Sequence, residues 1–227
     1  MNEILFTGGY WALLLTVAAY QLGAYLRKKT GSAWCNPILV AVAIVIPVLL
    51  VAGVPNEDYQ AGMQSISWLL TPCTVCLGIP LYTQVNRLKG NLGAIIGGIV
   101  AGSVTSLIVV GGLSLVFSLD RETMVSLLPK SITTAMAIPL SESGGGIVAL
   151  TTAVVILTGI LGSVIGPMLC RLFGIRGEIP QGVAFGTASH VIGTTKAVET
   201  SELTGAVSSL SLVVAGIVTA VIFPFLI

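Results

Sequence analysis

The spacing of charge constrains this chain more than any other feature. Uncharged runs cover residues 4–26, 30–56, 59–86, 90–119, 143–170 and 203–227, and each can hold the roughly 20 residues that an α-helix needs to cross hydrocarbon. Only 8% of the 227 residues are charged and 55% are hydrophobic, whereas soluble domains carry about a quarter charged residues. These observations predict an all-α polytopic membrane protein with about six full spans in the lipid bilayer. A net charge of +1 supplies no basic stripe for nucleic acid and no polybasic tail for anionic lipid.

Two shorter and more polar segments remain, residues 123–142 and 179–199, each just before one of the last two spans. The excess of Lys and Arg on cytoplasmic loops decides how they sit. Arg27, Lys28 and Lys29 place the end of the first span inside; Glu57 and Asp58 then lie outside, Arg87 and Lys89 inside, and Asp120, Arg121 and Glu122 outside. If 123–142 dips in and returns, Arg171 and Arg176 stay inside; a full crossing would expose them. The rule therefore favours two broken or re-entrant helices of opposite orientation, the inverted-repeat arrangement of secondary transporters. Residues 1–118 then form the N-terminal spans of a single domain, 1–227, and 119–227 form two units of hairpin plus span.

The second polar segment holds the densest chemistry. Gly186 to Glu199 contains the only histidine, His190, together with Lys196 and the hydroxyls of Thr187, Ser189, Thr194 and Thr195. Such groups need partners or water at membrane depth, so the segment faces a protein-lined cavity or other polar groups rather than lipid. Ionisable residues there point by default to a pathway or a binding site.

Proline marks the expected breaks. Pro129 and Pro139 lie near the two ends of the first hairpin and Gly144, Gly145 and Gly146 come directly after it, while Pro72 and Pro80 give the third span a similar character. Each proline removes a backbone donor and frees a carbonyl. Gly97, Gly98 and Gly102 in the fourth span suit close helix packing within one subunit. Tyr10, Trp11, Trp34, Tyr59 and Trp68 fall at span ends as an interfacial belt. Cys35, Cys73, Cys76 and Cys170 read as small packing residues, since the Cys73-x-x-Cys76 pair has no second pair or histidine to complete a zinc site. The first apolar run ends in Arg27-Lys28-Lys29 and not in a cleavage site, which suits a retained first span.

The run Leu128-Pro129-Lys130-Ser131-Ile132-Thr133-Thr134 and the run from Gly186 to Thr194 resemble the two signature motifs of the LrgB family; Asn36-Pro37-Ile38-Leu39-Val40, Pro80-Leu81-Tyr82 and Gly205-Ala206 with Ser208 fit its other segments. The resemblance covers essentially the whole chain. It implies either antiholin-like regulation of murein hydrolase activity and lysis, with an LrgA-type small membrane partner, or transport of small monocarboxylates, as in plastid carriers of glycolate and glycerate and bacterial relatives linked to pyruvate. Ala135 stands where the family usually has proline, which bears on hairpin geometry or substrate choice.

The residues themselves converge on a small anion. Lys130 lies in an otherwise uncharged stretch, and a buried ammonium deprotonates or finds an anion. Ser131, Thr133, Thr134, Thr187, Ser189, Thr194 and Thr195 are donors of the kind that surround a carboxylate, and helix N-termini at the breaks would add N–H groups. His190 binds substrate, relays a proton, or is a neutral ring satisfied by neighbouring hydroxyls. Glu142 and Glu199 are coupling candidates, with a salt bridge from Glu199 to Lys196 the simpler reading for the latter. The chain has no nucleophile elbow and no metal-ligand set, so no enzyme activity, metal or cofactor is expected. The expectation is thus a multi-pass carrier of pyruvate, glycolate or similar acids in the inner (plasma) membrane. Its rivals are the regulatory component and a nonselective pore. By analogy with sliding carriers the chain is expected to form a homodimer.

Overall fold

The computed structural model describes residues 10–31, 35–69, 72, 75, 76, 79, 82 and 89–227. Among these residues every regular element is helical, as the charge spacing predicts. They fall into two compact units, Met1–Cys76 and Leu77–Ile227.

The first unit holds α1 (Tyr10–Thr30), α2 (Pro37–Ala52) and α3 (Asn56–Ser67). Asn36 starts α2: its side-chain oxygen accepts the Ile38 N–H at 2.9 Å, and Pro37 occupies the first helical position, where no donor is missed. Gly53 ends it in the left-handed conformation, φ 65°, while the Gly53 and Val54 amides return to the Leu50 and Leu49 carbonyls. The helix α1 lies close against this start, because a Cβ on Gly23 would stand 2.8 Å from the Pro37 Cα. Thr16 donates to the Ala12 carbonyl, so the Tyr59 hydroxyl of α3 is the donor in the 2.7 Å bond between them. Trp11 packs on the same Tyr59 ring at 6.0 Å between centroids.

The second unit holds α4 (Leu92–Val116), α5 (Arg121–Leu127), α6 (Thr134–Gly144), α7 (Val148–Leu172), α8 (Glu178–Thr200) and α9 (Glu202–Ile222), closed by a short 3-10 turn, Phe223–Phe225. The hairpin of α8 and α9 is its centre, with α4 packed on both helices and α7 on α8. Ile95 and Ile99 of α4 meet Val207 and Ala215 of α9 in one apolar cluster. Leu107 and Val110 meet Val125, Leu128 and Phe223 in another.

Side chains are distributed as lipid requires. The helix α9 buries Thr204, Ser208 and Ser211 completely and exposes Val213, Ile217 and Val221. In α4, Ser103 and Ser114 are buried while Ile108 and Leu115 are exposed. Hydroxyls face protein and hydrocarbon faces outward, the reverse of a soluble bundle.

Three helices, Leu92–Val116, Val148–Leu172 and Glu202–Phe225, are long and apolar enough to cross a membrane. They match the fourth, fifth and sixth predicted spans. The first predicted span, 4–26, is described from Tyr10 onward as α1, and the second and third differ. The helix α1 carries Arg27, Lys28 and Lys29 within its last turn. The apolar α2 has 16 residues, about 24 Å at 1.5 Å per residue, short of a ~30 Å core. The third predicted span begins instead as α3, a polar 12-residue helix, because counting charges overlooks Gln60 and Gln64. Most of the chain between α3 and α4, including Cys73, Pro80, Leu81 and Arg87, lies outside the described residues, as do Trp34 and residues 1–9. The fourth span, expected in the N-terminal part, belongs with the second unit because α4 packs on α8 and α9.

Asp120 caps α5, accepting the Thr123 N–H at 3.0 Å and the Thr123 hydroxyl at 2.8 Å. Those bonds, the backbone one first, hold its carboxyl below the ordinary aspartate value. The contribution is complete above the unfolded pKa and is lost as pH falls through the lower folded one. Acidification through the carboxylate range should therefore lower the protection of the Thr123 amide, its exchange rate being taken relative to the intrinsic rate at each pH, and Asp120→Asn should remove that change in protection; both are readable by NMR.

Candidate functional site

Both polar segments are broken helices, and Lys130, Ser131, Ser189 and His190 sit in the breaks. In the first, α5 ends at Leu127 and α6 begins at Thr134, leaving Leu128–Thr133 as irregular turn. The Lys130 and Ile132 amides bond to Leu127 and Pro129 carbonyls, which satisfies part of the backbone freed there. Pro129 lies in this break, but Pro139 lies inside α6, where the helix continues through it. Gly145 ends α6 with φ 81°, and the Gly146 amide returns to the Ser141 carbonyl.

In the second, α8 leaves helical geometry at Ser189 (φ −133°, ψ 16°) and His190 (φ 41°, ψ −137°). Positive φ on a residue with a Cβ costs about 1–3 kcal/mol and persists only where surroundings fix it. The surroundings are on α7. His190 Nε2 donates to the Val155 carbonyl at 2.8 Å, so Nδ1 is the acceptor nitrogen when the ring is neutral. The ring is satisfied by this backbone carbonyl and not by neighbouring hydroxyls.

Glycine makes the seat possible. A Cβ on Gly159 would stand 2.6 Å from His190 Cε1, one on Gly166 2.6 Å from Phe185 Cε1, and one on Gly162 would collide with Ser189 Oγ. The three form one face of α7, a small-residue stripe of the kind that brings helices together in lipid. On the far side of α8, Gly186 lies against the Ser208 backbone of α9. There Ser208 meets Thr194 at 2.8 Å, and Thr194 donates its own proton to the His190 carbonyl at 2.9 Å, so Ser208 is the donor. The break is thus held from both sides.

The two segments also share a hollow. Ser131 from the first and Thr187 from the second line it, with Ser103, Ser106, Leu107 and Thr219. Its volume of about 10 Å³ is close to the ~10–15 Å³ that seats a single water-sized oxygen. Lys130 Nζ donates to Ser131 Oγ at 3.1 Å, and Ser131 meets Ser106 at 3.2 Å. Lys130 also lies within electrostatic reach of the His190 ring.

The remaining candidates are elsewhere. Ser189, His190 and Thr194 belong to the break in α8 and its seat, and Thr133 and Thr134 to the start of α6. Thr195 is exposed, with its hydroxyl on the Ile192 carbonyl. Glu199 is ion-paired with Lys196 at 2.9 Å on an exposed face, the simpler of its two readings, and Glu142 is exposed at the end of α6. Ser103, Ser106 and Thr219 are additions that sequence reasoning misses. For the first two the available signal is their i, i+3 spacing on one face of an oily helix.

Residues 16–227 match the LrgB-like family. The chain is 35% identical to a holin-like protein CidB of Staphylococcus epidermidis over 227 residues, all of this chain and 98% of that protein. It is 37% identical to an antiholin-like protein LrgB of Bacillus cereus over 216 residues, 95% of this chain and 94% of that protein. No solved structure matches.

The glycine seat predicts a contrast between two substitutions. Gly162→Ala should destabilise the detergent-solubilised protein by about 1–3 kcal/mol, since the new methyl must displace Ser189. Gly112→Ala, at an exposed position of α4 with nothing within 4 Å, should be neutral or stabilising by up to ~1 kcal/mol. Thermal melts of the two variants check this, and equal melting temperatures would remove the seat.

Proposed function

The chain belongs to the LrgB-like family, and from that premise we propose that it is a holin- or antiholin-like component of the bacterial cell membrane that sets the onset of lysis. The observation that carries this reading is end-to-end similarity to relatives named holin-like and antiholin-like. In this reading the chain lies in the inner (plasma) membrane as a multi-pass protein and governs murein hydrolase activity together with a small LrgA-type membrane protein. Expression in a bacterium deleted for its own LrgB-type protein should restore the autolysis rate of the undeleted strain, measured as loss of turbidity in detergent and as zymogram activity. Autolysis that does not respond to the chain, with or without the LrgA-type partner, would reject this role.

A second reading is favoured by one specific feature, the Lys130–Ser131 pair in a helix break beside a hydroxyl-lined hollow. It makes the chain a carrier of small monocarboxylates such as pyruvate or glycolate, working as a homodimer with its two broken units in opposite orientation. Reconstituted vesicles should accumulate labelled pyruvate or glycolate, and Lys130→Ala should lower uptake roughly tenfold or more, as expected when a charged hydrogen bond is lost. Wild-type vesicles that take up neither acid would exclude the carrier.

A further inference from the structure

We propose that the hollow between the first break, α4, α8 and α9 is an anion site that takes one oxygen of a small monocarboxylate. The proposal rests on the carrier reading and deepens it by naming where the substrate is held, and it adds Ser103 and Ser106 to Thr187 as the groups that hold it.

Two hydroxyls define the site. Ser103 Oγ and Thr187 Oγ1 are buried, with 4% and 7% of their residues' surface exposed, and both are without a hydrogen-bond partner among the described residues. Serine and threonine in a helix usually satisfy themselves on a carbonyl one turn back, as Ser114, Ser209 and Ser211 do here. A buried hydroxyl left unpaired bears its full desolvation cost with nothing in return. Two such groups, on different helices, line one hollow. Gly102 supports the placement: a Cβ there would lie 3.0 Å from the Thr187 Cγ2, so glycine is what lets α4 come this close to Thr187.

The polarity of the site is set by Lys130. An ammonium only donates, so Ser131 accepts from it at 3.1 Å. Ser131 and Ser106 share a hydrogen bond at 3.2 Å in which either hydroxyl can donate; when Ser131 donates, the Ser106 proton is left for the hollow that this residue also lines. Two hydroxyl protons, from Ser103 and Thr187, are therefore available to one oxygen-sized space, and a third from Ser106 when Ser131 donates to it, with a cation at the head of the chain. A metal cation needs lone pairs and is repelled by Lys130. A carboxylate oxygen needs donors and a nearby positive charge, and both are supplied.

The test is calorimetric titration of the full-length, detergent-solubilised protein with choline acetate and choline pyruvate, so that no metal cation accompanies the anion. Wild type should bind saturably. Thr187→Val, which keeps the shape and removes the hydroxyl, should weaken binding about tenfold, the loss of one hydrogen bond to a charged group. Ser103→Ala should do the same from another helix, and Thr187→Ser should retain affinity. Melting temperatures of each variant report folding separately. No saturable binding by wild type, or wild-type affinity in folded Thr187→Val and Ser103→Ala, would overturn the site. Binding without vesicle uptake would remove the carrier and leave the site standing; uptake with binding indifferent to both substitutions would do the reverse.

Discussion

Hydrocarbon offers no hydrogen bonds, and the second unit is arranged around that fact. A continuous helix satisfies its own backbone, whereas a broken one releases amides and carbonyls that water cannot reach. Each break here is answered locally. The first is answered by turn bonds among Leu127, Pro129, Lys130 and Ile132, the second by the Thr194 hydroxyl on the His190 carbonyl, with Ser208 behind it. Hydroxyls on α9 are therefore buried while its valines and isoleucines face outward. Thr194 and Ser208 are placed where a helix fails, while Ser114, Ser209 and Ser211 satisfy themselves on carbonyls of their own unbroken helices.

Closeness is the second requirement, and small residues supply it. Helices in lipid gain little from apolar burial against one another and associate through packing and polar contact. Gly159, Gly162 and Gly166 let α8 press its break onto α7, and Gly186 lets the same helix lie on α9. The positive φ of His190 is tolerable only inside this enclosure, where its ring reaches the Val155 carbonyl. The strain and the glycines form one device, since a methyl at Gly159 would expel the ring that holds the strained backbone in place.

Much of this is legible in the sequence, for reasons of contrast. Lys130, Ser131, Ser189 and His190 stand out because an ionisable or polar residue is expensive in an apolar run, and the structure puts them in the breaks. Three spans are legible because their ends carry charge. The features that escape sequence reasoning lack contrast. Gln60 and Gln64 carry no charge, so α3 reads as the start of a span. Pro139 reads as a break, yet α6 runs through it, because neighbouring packing and not proline alone decides where a short helix ends. Ser103 and Ser106 look like any self-satisfied serines in a membrane helix, and only their three-dimensional surroundings set them apart. The stripe of Gly159, Gly162 and Gly166 is visible as spacing, but spacing alone does not say which helix it receives.

The size of the hollow constrains the carrier reading further. A space of about 10 Å³ accepts one oxygen and excludes the three-carbon body of pyruvate, whose remaining atoms would have to lie in the break beside Lys130. Passage of such an acid therefore requires the segment Leu128–Thr133 to move relative to α4 and α8. That segment has left the helical ladder, but Leu128 packs with Leu107, Val110, Val125 and Phe223, and Ile132 with Ala137 and Val155, so its displacement breaks apolar packing as well as turn bonds. The irregular backbone that presents the ammonium is thus held by buried side chains on either side of Lys130, and in the carrier reading opening has to overcome that packing as well as release the bound oxygen.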